Sequence, residues 1–220
     1  MILLLTRSLA SVQKLDRPDI GRLLTPRHYA HALDTSRLGI EWACDNDAFS
    51  GFHEPRYLNM LAAIAGTRGC RFVTAPDIVE DAEATLDLFS IWHRTIREHG
   101  LPVALVGQDG VEDLPIPWGD LGAIFIGGST EWKLSQAAAD LAAEARARGK
   151  WVHMGRVNSI RRLSYARQVG CHSADGSRYS RFSDNYVDHA LDALGRGEQL
   201  ALAEPSSVYD RSTRTGDPVR

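Results

Sequence analysis

Five apolar, strand-like runs each end in a short polar cluster, and this repetition constrains the fold more than any other feature. The runs read WACDNDAF (42–49), FVTAPD (72–77), VALVGQDG (103–110), IFIGGST (124–130) and WVHMGRVNS (151–159). A strand that ends in Asp, Gln or Gly-Gly before a helix is typical of βα barrels, whose active sites lie at the carboxyl ends of the strands. The clusters therefore predict one shared pocket.

Eight apolar runs alternate with amphipathic stretches that end at a Gly, as helices often do. Such alternation predicts βαβ units in an α/β protein, here a compact (β/α)8 TIM-like barrel. A doubly wound open sheet is the alternative, but no GxGxxG or GxxxxGK[ST] motif favours it. The predicted strands are Ile2–Leu5, Arg22–Leu24, Ile40–Cys44, Phe72–Ala75, Val103–Val106, Ala123–Ile126, Trp151–Met154 and Gly170–Ser173.

The size and composition fit one soluble domain. The chain has 220 residues, of which 44% are hydrophobic and 24% charged, which is ordinary for a globular protein. We expect a single barrel over residues 1–200 and a flexible tail over 201–220, where Pro, Ser, Thr and Asp become frequent. Cys44, Cys70 and Cys171 form no CxxC pair, which predicts neither disulfides nor a zinc subdomain and suits the cytoplasm. No apolar run is long enough to span a membrane.

Positive charge is concentrated in residues 130–181, where ten Lys/Arg accompany four Asp/Glu. Such a region can bind phosphates. It can also be an ordinary solvated helical surface. The candidate phosphate contacts are Arg156, Arg161, Arg162 and Arg178.

Three carboxylates follow the earlier strands. Asp45 in an apolar barrel mouth can hold or move a proton, because desolvation raises a carboxyl pKa. Asp47 is the less favoured candidate, and either residue can instead cap a turn. Asp77, after Pro76, can accept hydrogen bonds from the N–H donors of a purine edge, or can cap the following helix.

The next clusters offer contacts to a flat ligand. Gln108 carries both a donor and an acceptor, which suits a base edge. Gly127 and Gly128 allow close approach of the backbone and leave N–H groups to donate, although a tight turn also explains them. Met154 can stack its thioether on an aromatic ligand or belong to the core.

The last candidates lie near the final predicted strand. Asp175 can act as a nucleophile on an anomeric carbon, and Asp-Gly is also a common turn. His172 can be a base, a phosphate contact or a core histidine.

Taken in order, the clusters resemble the tRNA-guanine transglycosylase superfamily, and most closely its phage and actinobacterial branch, the deazapurine-DNA modification protein A family. The family segments DSGGF, VQGG and LMG resemble DNDAF (45–49), VGQDG (106–110) and HMG (153–155), and its Gly-Gly resembles Gly127-Gly128. The resemblance implies a (β/α)8 barrel that exchanges guanine for a 7-deazaguanine through a glycosyl–aspartate intermediate.

The resemblance also implies roles for individual residues. Asp45 would be the general acid/base, and Asp77, Gln108, the glycine pair and Met154 would bind the purine. The family nucleophile lies in DCVxPT or DSVDGT, whereas this chain reads HSADGS (172–177). His172 thus holds the family's Asp position, and Asp175 is the candidate replacement.

We therefore expect a guanine transglycosylase that acts on DNA. The tRNA enzymes carry a cysteine-rich zinc insertion that this chain lacks, which makes tRNA the less favoured partner. The expected small-molecule partner is free guanine or 7-deazaguanine, and we expect no cofactor and no metal. The alternatives are an N-glycosidase or nucleoside hydrolase with the same pocket, and an inactive barrel that binds purine or DNA.

Overall fold

In the computed structural model, which describes residues 1–195, eight parallel strands pair in sequence order and close into a barrel because β8 pairs with β1. This closure confirms the predicted (β/α)8 fold and excludes the doubly wound open sheet, whose edge strands stay unpaired. The strands are β1 Ile2–Leu5, β2 Ile20–Leu24, β3 Trp42–Cys44, β4 Cys70–Thr74, β5 Val103–Gly107, β6 Ala123–Ile126, β7 Trp151–Met154 and β8 Ser173–Asp175.

Helices cover the outside of this barrel. They are α1 Leu9–Leu15, α2 Ala32–Arg37, α3 Glu54–Ile64, α4 Ala82–Glu98, α5 Thr130–Lys133, α6 Gln136–Ala147, α7 Ile160–Gln168, α8 Ser177–Arg181 and α9 Asp184–Gly195. Short 3-10 turns span Ala48–Ser50 and Val111–Asp113. No helix within the described residues is long and apolar enough to cross a membrane. The predicted tail 201–220, and residues 196–200 of the predicted domain, lie outside the described residues.

Apolar side chains fill two layers, one inside the barrel and one between strands and helices. Successive strand residues point to opposite faces, so each strand supplies both layers and is apolar throughout. Large rings alternate with alanines inside the barrel, where side chains must share a narrow space. The interior cluster consists of Leu4, Leu23, Ala43, Phe72, Ala104, Val106, Ala123 and Phe125.

The last strand lies further along the chain than the predicted Gly170–Ser173. Gly170 and Cys171 still belong to the turn that ends α7, since their N–H groups donate to the carbonyls of Arg167 and Ala166. The chain becomes extended only at Ser173, which pairs with Ile2 and His153. This shift places Asp175 inside the end of β8.

The structure also decides whether Asp77 caps the helix that follows it. The Asp81 side chain accepts a hydrogen bond from the Ala84 N–H and caps the helix, so α4 begins only at Ala82. Capping is therefore not the role of Asp77.

Candidate active site

A small cavity lies at the carboxyl ends of the strands, where the sequence predicts the pocket. Its volume is about 70 Å³. Larger grooves of about 510 and 540 Å³ lie on the outer surface beside α4 and α6. We place the site in the small cavity because carboxylates from separate strands converge there. Its lining residues are Asp45, Asn46, Phe49, Asp77, Val79, Val106, Gln108, Phe125, Gly127, Arg156 and Asp175.

Asp45 directly follows β3 and lines the cavity. Its backbone N–H donates to the Leu24 carbonyl at 2.9 Å, and its Oδ1 accepts the Asn46 N–H at 2.7 Å. Burial, together with the negative charges of Asp175 and Asp77, raises the pKa of Asp45 to about 7. A carboxyl with such a pKa can both donate and accept a proton near neutral pH.

Two amide side chains hold Asp77. Asn46 Nδ2 donates to Asp77 Oδ1 at 2.7 Å, and Gln108 Nε2 donates to Asp77 Oδ2 at 2.6 Å. Burial raises the pKa of Asp77, while these two hydrogen bonds act in the opposite direction. Asp77 is thus a fixed acceptor whose remaining lone pairs are available for an N–H donor.

The Gln108 amide is oriented by protein contacts on both sides. Its Oε1 accepts the Glu80 N–H at 3.0 Å, while its Nε2 donates to Asp77. The sequence predicts Gln108 as a direct contact to a base edge. In the structure it lines the cavity and orients Asp77, with one amide hydrogen left for another partner.

Asp175 reaches the cavity from the end of β8. Its Oδ1 accepts a hydrogen bond from His153 Nε2 at 3.0 Å and a longer one from the Arg156 N–H at 3.4 Å. Asp175 and Asp45 therefore share one cavity, although 130 residues of sequence separate them. Two carboxyl groups that line the same small cavity are a common arrangement for acid–base and nucleophilic chemistry.

His172 does not join this cavity, which corrects its predicted catalytic role. It precedes β8, at the opposite end of the barrel from Asp175. Its Nδ1 accepts the Val152 N–H at 2.9 Å, and its ring stacks on Trp151 with centroids 4.8 Å apart. Burial and the nearby Arg146 lower the pKa of His172. Its contacts are structural.

Met154 also lies elsewhere than predicted. It is 2% exposed and packs in the layer between the barrel and the helices. Its strand neighbour His153 points to the interior instead, because alternate strand residues face opposite sides. Met154 is therefore a core residue and no contact for a ligand in the cavity.

The two adjacent glycines, Gly127 and Gly128, have different surroundings. Gly127 lines the cavity, and a Cβ there would lie 2.6 Å from Val106 Cγ1. Its N–H donates to the Gly107 carbonyl at 2.9 Å, so it does not supply the free donor that the sequence predicts. Gly128 lies beside the cavity, where a Cβ would collide with the Trp132 ring.

Arg156 covers the cavity together with Phe49. Its guanidinium donates to the carbonyls of Gly127 and Gly128 and lies 5.0 Å from the centroid of the Phe49 ring. Its backbone has a φ of 57°, a conformation that is uncommon outside glycine. Phe49 is 72% exposed. Arg156 thus lines the site itself.

The other three predicted arginines lie on the helices that follow β7 and β8. Arg161 and Arg162 belong to the first turn of α7, and Arg178 belongs to α8. The Arg178 guanidinium donates to the Asn158 carbonyl at 3.3 Å. Since the first turns of these helices follow the carboxyl ends of the strands, the three cations lie on the cavity's side of the barrel.

The sequence reasoning missed two titratable groups beside the cavity, as well as Asn46, whose amide holds Asp77. His153 is fully buried in the barrel interior and contacts Asp175. The Lys133 ammonium donates to the Gly155 carbonyl at 3.0 Å. Burial lowers the pKa of Lys133 to about 8, with a smaller effect from the charge of Arg156. The sequence does carry a signal for His153, because it is a histidine within an otherwise apolar strand run.

Comparison with known proteins identifies the fold alone. No family model matches the chain, and no curated protein matches it. The structure is similar to one described as native KDPGal, with a TM-score of 0.56, 14% identity, and coverage of 89% of this chain and 93% of that one. It is also similar to a mandelate oxidase, with a TM-score of 0.55, 14% identity, and coverage of 84% and 66%. At such identities the likeness concerns the barrel.

Proposed function

We propose that this protein is a base-exchanging glycosyltransferase that replaces guanine in DNA by a 7-deazaguanine. The proposal depends on one observation above all. Asp45, Asp77, Gln108 and Asp175 meet at one cavity, although they lie at the carboxyl ends of four different strands. These are positions that match the purine-binding and acid/base segments of the transglycosylases that the sequence resembles.

The roles follow from the chemistry of each group. Asp77 accepts hydrogen bonds from the N–H donors of the guanine edge, in the orientation that Asn46 and Gln108 impose. Asp45 is the acid, because its pKa of about 7 leaves a proton available at neutral pH. Asp175 is the nucleophile, since it lies in the cavity whereas His172 lies at the other end of the barrel.

The exchange then takes two displacements. An Asp175 oxygen bonds to C1′ of the target nucleotide while the C1′–N9 bond breaks, and the bonding electrons leave with guanine, which takes the proton of Asp45. The incoming deazaguanine loses its N9 proton to the Asp45 carboxylate. Its N9 bonds to C1′, and Asp175 leaves as a carboxylate.

A purine requires the cavity to open. Ligand pockets commonly measure about 300–1,000 Å³, whereas this cavity measures about 70 Å³. Arg156 and the exposed Phe49 cover it and must move aside when the base enters. The target nucleotide must also leave the base stack, and Arg161, Arg162 and Arg178 are placed to contact its phosphates.

The direct test is incorporation of labelled guanine or 7-deazaguanine into DNA. Wild-type protein is expected to incorporate label, Asp175→Asn to lose incorporation, and Asp45→Asn to lose most of it. Asp47→Asn is the matched control, because Asp47 pairs with Arg27 at 3.0 Å outside the cavity. A parallel reaction with tRNA tests the less favoured substrate.

Three results would replace the proposal. Release of free guanine without any incoming base would indicate an N-glycosidase. Purine or DNA binding without turnover would indicate a binding protein. Equal activity of Asp45→Asn, Asp175→Asn and wild type would refute the assigned site.

A further inference from the structure

Four polar side chains form a continuous hydrogen-bonded chain through the barrel interior. They belong to alternate positions of neighbouring strands, Trp151 and His153 on β7 and Ser173 and Asp175 on β8, and His153 pairs directly with Ser173 in the sheet. We call Trp151, Ser173, His153 and Asp175 the axial polar chain. It runs from the amino-terminal end of the barrel to the cavity.

The position of each hydrogen in this chain follows from which atoms can donate. The Trp151 indole can only donate, and its Nε1 lies 2.9 Å from Ser173 Oγ. Ser173 Oγ accepts this bond, so its own hydrogen can go to His153 Nδ1 at 2.8 Å. A neutral His153 then carries its hydrogen on Nε2, which donates to Asp175 Oδ1 at 3.0 Å.

The opposite arrangement leaves a hydrogen without an acceptor. If His153 Nδ1 carried a hydrogen and donated to Ser173, the Ser173 hydroxyl would need another acceptor, and its contacts among the described residues are only Trp151 and His153. Ser173 is fully buried, and a buried unpaired donor is costly. The available hydrogen-bond partners therefore indicate that neutral His153 carries its hydrogen on Nε2.

Aromatic rings hold the imidazole in place. The centroids of the Phe72 and Phe125 rings lie 5.0 and 4.6 Å from that of His153. These apolar neighbours exclude water, and a hydrogen bond to a carboxylate is stronger where water is excluded. The Nε2–H direction is therefore fixed toward the cavity.

We propose that His153 is a positioning residue for Asp175, held in the Nε2–H form by Ser173 and Trp151. This inference rests on the proposed function. The donors that the described residues supply to this carboxylate, His153 Nε2 and the Arg156 N–H, both contact Oδ1, which leaves Oδ2 to attack C1′. When the glycosyl ester breaks, the same bond stabilises the charge that returns to Asp175.

Ser173→Ala tests this inference without touching Asp175. Nitrogen-15 spectra of the histidine rings distinguish the two neutral forms, and His153→Gln assigns the His153 signals among the eight histidines. Wild type is expected to show Nε2–H, and Ser173→Ala to show a mixture. Wild-type His153 in the Nδ1–H form would overturn the inference whether or not the protein is active.

Kinetics give the second measurement. Ser173→Ala is expected to lower kcat for base exchange about tenfold with unchanged KM, the effect of weakening one hydrogen bond to a charged group. His99→Gln, at the end of α4, is the control with unchanged kcat and KM. An active wild type with an equally active, folded Ser173→Ala overturns the positioning role and leaves the proposed function standing.

The reverse outcome separates the two proposals. A wild type without exchange activity, whose His153 is nevertheless Nε2–H and loses that form in Ser173→Ala, refutes the proposed function. It supports the axial polar chain as the arrangement that orients Asp175.

Discussion

The Asp45→Asn substitution is expected to change how the stability of the protein depends on pH. Burial raises the pKa of Asp45 to about 7 in the folded protein, against about 3.9 in an unfolded chain. Between these values the unfolded chain has released the proton and the folded protein still binds it. The folded state then holds more protons, so the free energy of unfolding falls as the pH rises.

The magnitude follows from the size of this difference. About three pKa units at roughly 1.4 kcal/mol each give a total of about 4 kcal/mol, and the part between pH 5 and pH 8 is about 3 kcal/mol. Asn keeps the oxygen that accepts the Asn46 N–H but does not ionise. The variant should therefore gain about 3 kcal/mol relative to wild type between pH 5 and pH 8.

Urea unfolding at a series of pH values measures this change. The quantity of interest is the difference in unfolding free energy between variant and wild type, followed as a function of pH. Asp87→Asn, on the exposed side of α4, is the control for loss of one carboxylate. A difference between Asp45→Asn and wild type that stays constant from pH 5 to pH 8 would refute the reasoning.

Three further substitutions test other contacts. Tyr57→Phe should lower the unfolding free energy by about 1–2 kcal/mol in urea titrations, because the buried hydroxyl donates to a β4 carbonyl at 2.6 Å; an unchanged value would contradict this. Gly155→Ala should lower the free energy of unfolding by about 1–3 kcal/mol, since its Cβ would lie 2.5 Å from the Phe125 ring. The control Gly119→Ala places its Cβ in open space and should lower the free energy of unfolding by less. Burial lowers the pKa of Lys133 to about 8 in the folded protein, so above that pH the unfolded chain binds more protons than the folded protein and the free energy of unfolding rises with pH. Thermal unfolding of Lys133→Met at alkaline pH should lack this rise. An alkaline stability profile identical to that of wild type would disprove it.

Most of the barrel was predictable because buried parallel strands are apolar on both faces and therefore appear as continuous runs. The last strand was not, because Gly170 and Cys171 complete the turn after α7. A sequence run does not show whether its first residues are extended or still bonded to a helix. Placing β8 three residues further on decided which of His172 and Asp175 reaches the cavity.

The members of the site were more predictable than their contacts. Asp45, Asp77, Gln108 and Asp175 lie at the carboxyl ends of parallel strands, so barrel closure brings them to one end. The sequence did not reveal that Gln108 bonds to Asp77, because their hydrogen bond depends on the side-chain conformations. Met154 was misplaced because facing inward or outward depends on where β7 begins to alternate.

The sequence by itself determined the order of strands and helices and the end of the barrel where polar groups gather, since both follow from local patterns along the chain. Only the tertiary structure decided which groups touch. The pKa of Asp45, the orientation of Asp77 and the bond between His153 and Asp175 all arise between residues far apart in sequence. Their distances exist only once the eight strands close into a ring.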